Sequence, residues 1–145
     1  MAYRTLSRRQ AQILLALGRG MIPAGGPHFA LGAVHVADQW LARADYAISR
    51  MPFLTQLGIR LLLVFVDYAW PVFFLRRFVS VTRLSEDRLE LLMHRAEASA
   101  LWGPLVMTLL KALVFPAFYG TAEAKAAIGF AEKFPVPDEF EGVRP

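Results

Sequence analysis

At 145 residues and 16.2 kDa the chain is one domain's worth, enough to bury roughly 68–70% of the surface that its unfolded form exposes. Hydrophobic residues make up 56% and charged residues 19%, so the chain is not of the polar, highly charged disordered class and is more apolar than an ordinary soluble domain. There is no cysteine, which excludes a disulfide framework, a thiolate metal site, and cysteine-held iron–sulfur or haem groups. The formal charge is +4, and Arg outnumbers Lys thirteen to three. The basic residues are dispersed among acids, without the single Arg-rich face that would imply a nucleic-acid partner.

Helical periodicity predominates. A first helix is predicted over residues 7–20, with Ser7 as N-cap and Leu6, Ile13, Leu14, Leu17 and Met21 near one face. Gly20 is read as its stop and Pro23 as a breaker. Ser7-Arg8-Arg9-Gln10 before this apolar run superficially resembles a twin-arginine export signal, but the run is short and Arg19 interrupts it. Residues 23–32, rich in Gly and Pro, read as a loop. A second helix is expected over residues 33–50 with an inward stripe of Val36, Trp40, Ala44, Ala47 and Ile48, Asp45 lying elsewhere. A third begins at Pro52, runs to about residue 69, and is ended or kinked by Pro71. It is apolar almost all round, so it is expected at the centre of the fold.

Residues 72–84 are expected to be irregular or briefly helical. Ser85 then caps a helix with Leu89, Leu92, Met93 and Ala96 inward and Asp87, Glu90 and Glu97 outward, ending near Ser99. Gly103-Pro104 opens a long apolar helix over 105–118, kinked by Pro116. Thr121 caps a short helix through Ile128, which Gly129 stops. The predicted fold class is all-α: a single-domain bundle of five or six helices over residues 1–130, with an extended or disordered tail over 131–145. Membrane crossing needs about 20 mainly apolar residues, and Arg60, Asp67 and Lys111 interrupt the candidate runs.

Side chains able to do chemistry are few. His28, His35 and His94 form no HxxxH or HExxH pattern. His35 and Asp38 are spaced to pair on one helix face, and His94 precedes Glu97 by three residues, but a Glu-x-x-His di-iron signature would need Glu where Leu91 stands. Phosphate-cradling glycine loops and nucleophile elbows are absent, and no catalytic, cofactor or metal site is predicted.

Several segments taken in order resemble one family. They are Leu6-Ser7-Arg8-Arg9-Gln10 with Leu14, Leu17 and Met21-Ile22-Pro23; Arg77-Phe78 through Leu84-Ser85-Glu86-Asp87-Arg88; and Lys111, Phe118-Tyr119-Gly120 and Ile128-Gly129-Phe130. The set, spanning about residues 5–131, is similar to the gluconate 2-dehydrogenase subunit 3 family and to the N-terminal region of long-chain alcohol oxidases of the glucose–methanol–choline flavoenzyme class. The resemblance implies a non-catalytic small subunit that stabilises, matures or membrane-docks a large FAD-dependent alcohol or sugar dehydrogenase. The flavin and the catalytic His then belong to that large flavoprotein, and this chain carries no cofactor. Ile22, Pro23, Phe118, Tyr119 and Phe130 are the candidate partner-interface residues. The expected location is cytoplasmic or membrane-associated, or periplasmic through a co-exported partner. The rival readings are a membrane-embedded or membrane-peripheral helical protein unrelated to flavoenzymes, and a small enzyme or ligand-binding bundle using His35, His94 or an apolar cavity.

Overall fold

The computed structural model describes residues 2–26, 30–100 and 102–129. They form an all-α bundle: α1 (Arg8–Met21), α2 (Ala37–Ser49), α3 (Phe53–Leu75), a 3₁₀ turn (Val81–Arg83), α4 (Glu86–Ala98), α5 (Trp102–Tyr119) and α6 (Ala122–Ala127), with no strand among the described residues. The expected tail over 131–145 lies outside them, as do His28 and Phe130.

α1 and α4 pack on each other and form the middle of the bundle; α3 lies against both, while α5 packs on α2 and α4. The core follows their apolar faces: Ile13, Leu14 and Leu17 from α1, Trp40 and Ile48 from α2, Leu89 and Leu92 from α4, and Leu110 and Val114 from α5. All four residues expected inward on α4 are buried, and Asp87, Glu90 and Glu97 face out as expected.

Local chemistry sets the helix ends. Ser7 Oγ accepts from Gln10 N–H at 3.1 Å and Gln10 Oε1 accepts from Ser7 N–H at 2.9 Å, a reciprocal capping box. Thr121 Oγ1 accepts from Ala124 N–H at 3.3 Å and so caps α6. Gly20 is not the stop expected of it, because α1 runs on to Met21. A Cβ at Gly20 would come within 3.0 Å of Met93 Cγ, and one at Gly18 within 2.8 Å of the Trp40 ring. The absence of side chains there lets α4 and Trp40 approach the α1 backbone.

α2 begins four residues later than its composition suggests. Trp40 Nε1 donates to the Ala33 carbonyl at 2.9 Å, and Gly32 N–H donates to His35 Nδ1 at 3.0 Å. These bonds hold residues 33–36 as turns rather than a first helical turn. His35 therefore closes a loop, and its expected pairing with Asp38 gives way to this contact. On α2, Ala47 is exposed and Asp45 is buried, the reverse of the expected stripe.

α3 departs most from expectation. It continues through Pro71 to Leu75, and it is not central. Only Leu63, Val66, Asp67, Trp70, Pro71 and Leu75 are buried, along one side. Leu75 packs into the core and Phe74 meets Trp70 edge-on at 5.9 Å, which offsets the ladder bond that Pro71 lacks.

Candidate docking surface

The outer side of α3 is apolar along its whole length. Phe53, Leu54, Leu57, Leu61, Val64, Phe65, Tyr68, Val72 and Phe73 are exposed, with Leu61 at 62% and Phe73 at 65%. Their spacing of three and four residues makes a continuous stripe. A helix of 23 residues is about 34 Å long at about 1.5 Å per residue. Its two charged side chains both turn away from this stripe. Arg60 Nη2 donates to the Thr5 carbonyl at 2.7 Å, and Asp67 is fully buried.

Asp67 ties the inner side of α3 to its neighbours. Its Oδ1 accepts from Ser80 Oγ at 2.5 Å and from Val81 N–H at 3.0 Å, and its Oδ2 accepts from Arg9 Nη2 at 3.1 Å. Arg9 also donates to the Tyr68 hydroxyl. The hydrogen bond to Asp67 and then that to Tyr68 hold the Arg9 guanidinium above its ordinary pKa. Asp45 plays the same part for the N-terminal segment, accepting from the N–H groups of Arg4, Thr5 and Leu6 at 2.6, 2.9 and 2.8 Å. Neither aspartate stands out as structural in the sequence. The one visible signal is an isolated acid at helical spacing from buried apolar residues: Leu41 before Asp45, and Leu63 and Trp70 around Asp67.

Beyond the last turn of α3 the chain turns sharply. Arg76 adopts the left-handed conformation (φ 53°), where glycine is usual. Arg77 N–H donates back to the Pro71 carbonyl at 3.1 Å, and Phe78 is 87% exposed, stacked on Tyr68 with ring centroids 6.3 Å apart. Arg77, Phe78, Val79, Arg83, Leu84, Ser85 and Arg88 line an open cavity of about 530 Å³. On the neighbouring side of α3, Trp102 at the start of α5 packs among Phe65, Phe73 and Phe74, with centroids 5.4–5.7 Å apart.

Of the residues proposed from sequence as an interface, the four that are described do not form one surface. Ile22 (7% exposed) and Phe118 (0%) belong to the core, because α1 ends against the loop to α2 and α5 turns Phe118 inward. Pro23 is half-buried and Tyr119 is 39% exposed, packed edge-on to Phe115 and Phe118. Phe130 lies outside the described residues. His94 is exposed on α4, and no group of three or more His, Asp or Glu suited to a metal ion occurs among the described residues.

α3 and α5 are long and apolar enough to cross a membrane by length and composition, with 28% and 39% of their most apolar windows buried in the bundle. A soluble core helix of this hydropathy is normally mostly buried, so the low value for α3 marks a face left uncovered. No family model, curated protein or solved structure matches the chain.

Proposed function

We propose that the chain is a non-catalytic small subunit of a large FAD-dependent alcohol or sugar dehydrogenase of the glucose–methanol–choline type, and that the large subunit covers the outer face of α3. The observation that carries this reading is the charge-free stripe from Phe53 to Phe73. A monomer rarely leaves so continuous an apolar surface in water, and obligate heteromeric interfaces are the apolar ones. The ordered sequence resemblance supplies the class of partner.

A bilayer is the other apolar phase that a helix of this length suits. Crossing it as a folded bundle is disfavoured by α4, which packs on both α3 and α5 and presents Asp87, Arg88, Glu90, Arg95 and Glu97 to solvent. Each Asp or Arg at the bilayer centre costs about 2.5–3.5 kcal/mol on insertion scales. The folded arrangement therefore favours a covering partner over a spanning role.

The test is affinity purification of the tagged chain from its own cells. Recovery of one large chain with flavin absorbance, in equimolar amount, is expected. The double variant Leu54→Glu, Leu61→Glu is expected to fold normally, since both side chains are exposed and stand apart from the Trp102 cluster, and to lose the flavoprotein. Recovery of the unaltered chain without a flavoprotein, or unaltered recovery of the flavoprotein by the variant, would overturn the proposal.

A further inference from the structure

We infer that the basic corner at the C-terminal end of α3, where Arg77, Arg83 and Arg88 surround the 530 Å³ cavity and Phe78 stands at its rim, seats the chain on the headgroups of an anionic phospholipid bilayer. The inference is independent of the flavoprotein reading and, taken with it, gives the complex a membrane-surface location.

Charge complementarity argues for the occupant. Three guanidinium groups line the cavity and no acid does. None of the three pairs with an acid among the described residues: of the neighbouring acids on α4, Glu86 is held by Arg19 at 3.1 Å, and Asp87 and Glu90 are exposed and bridge to none of the three. Arg76, exposed, precedes Arg77 in the chain but does not line the cavity. A planar fork of donors suits phosphate oxygens, and several together suit a surface dense in them. Phe78 selects among anions. A ring that is 87% exposed gains nothing from a hydrated phosphate, whereas at a bilayer surface it can reach the acyl boundary while the arginines stay at headgroup level.

The corner is also held in place. Ser80 and Val81 are fixed on Asp67, Arg77 N–H on the Pro71 carbonyl, and Phe78 on the Tyr68 ring. The three arginines come from the chain after α3, the 3₁₀ turn and the first turn of α4, so the fold itself gathers the charge. Such preorganisation lowers the ordering cost of binding.

The test is flotation of the full-length chain with vesicles of phosphatidylcholine alone and of phosphatidylcholine with phosphatidylglycerol. Binding that requires phosphatidylglycerol is expected. Replacing Arg77, Arg83 and Arg88 together by Ala is expected to weaken it by on the order of 100-fold, and Phe78→Ser by at least about 10-fold. Unchanged denaturation midpoints show that the variants fold. Inorganic phosphate at millimolar concentration is expected not to release the chain, which separates a lipid surface from a free-phosphate site. Equal binding to both vesicle types, no binding, release by phosphate, or flotation unaffected by the triple substitution would overturn the inference. So would a triple variant that loses the flavoprotein while keeping the vesicles, because the corner would then be an acidic-protein contact. Failure in either direction leaves the flavoprotein test unaffected, since no vesicle enters it.

Discussion

Replacing Asp67 separates the polar scaffold of α3 from its apolar face. In Asp67→Ala three donors lose their acceptor, but they are not equivalent. Arg9 is 59% exposed in its side chain and turns to water, so its loss adds little. Ser80 Oγ keeps Thr82 Oγ1 at 2.8 Å. Val81 is fully buried, and its N–H is left unpaired at about 1.5–3 kcal/mol. The cost is therefore about 1.5–3 kcal/mol, or roughly 3–12 °C in Tm for a chain of this size. Asp67→Asn keeps an oxygen towards Ser80 and Val81 but turns an N–H donor towards Arg9, which swings to water, so it is expected to cost less than Asp67→Ala. Equilibrium urea denaturation measures both, with the buried Trp40 and Trp70 as fluorescence probes. An Asn variant as unstable as the Ala variant, or an Ala variant within about 0.5 kcal/mol of the unaltered chain, would show that the Val81 contact does not carry the energy assigned to it.

Two glycines in helices are expected to respond oppositely to alanine. Gly58→Ala meets nothing within 4 Å and gains helix propensity, stabilising by about 0.5–1 kcal/mol, whereas Gly18→Ala drives a Cβ to 2.8 Å from Trp40 and is expected to destabilise; thermal melts that rank them the other way would contradict the packing described. Ser7→Ala removes one half of the capping box and is expected to cost about 1 kcal/mol in urea denaturation, with Gln10→Ala costing less. Gln39 Nε2 donates to Glu123 Oε1 at 2.7 Å, and this bond first, then the Glu123 backbone N–H, lowers the Glu123 pKa. The contribution is therefore present above the unfolded carboxylate value and lost as pH falls through the lowered folded value. Gln39→Ala is expected to move the Glu123 titration upward in carboxyl-detected NMR, and an unmoved titration would refute the link.

The parts of the fold visible in the sequence are those that local rules govern. Ser7 and Thr121 declare themselves as caps because capping reaches only three residues along the chain. The inward set on α4 follows from one apolar stripe against charges. The outward face of α3 is not legible in the sequence, because hydropathy on all sides says only that water is avoided, not whether the chain's own core or another molecule replaces it. Pro71 looked like a terminator since the missing N–H is local, whereas the packing of Phe74 and Leu75 that sustains the last turn is tertiary. Asp45 serves backbone groups about forty residues away, and such pairings leave no periodic trace. The same holds for the candidate surfaces: Ile22 and Phe118 marked helix ends that the core absorbs, while the corner of Arg77, Arg83 and Arg88 exists only after folding.

Whether α3 offers its outer face to a large subunit is measured directly by hydroxyl-radical footprinting of that face. Phe65, Tyr68 and Phe73 are oxidisable and exposed in the chain alone. Between the isolated chain and the purified flavoprotein assembly, strong protection of these three rings is expected, with His94 on α4 as an exposed reference that stays reactive. Equal oxidation of the three rings in both samples would contradict that role for α3.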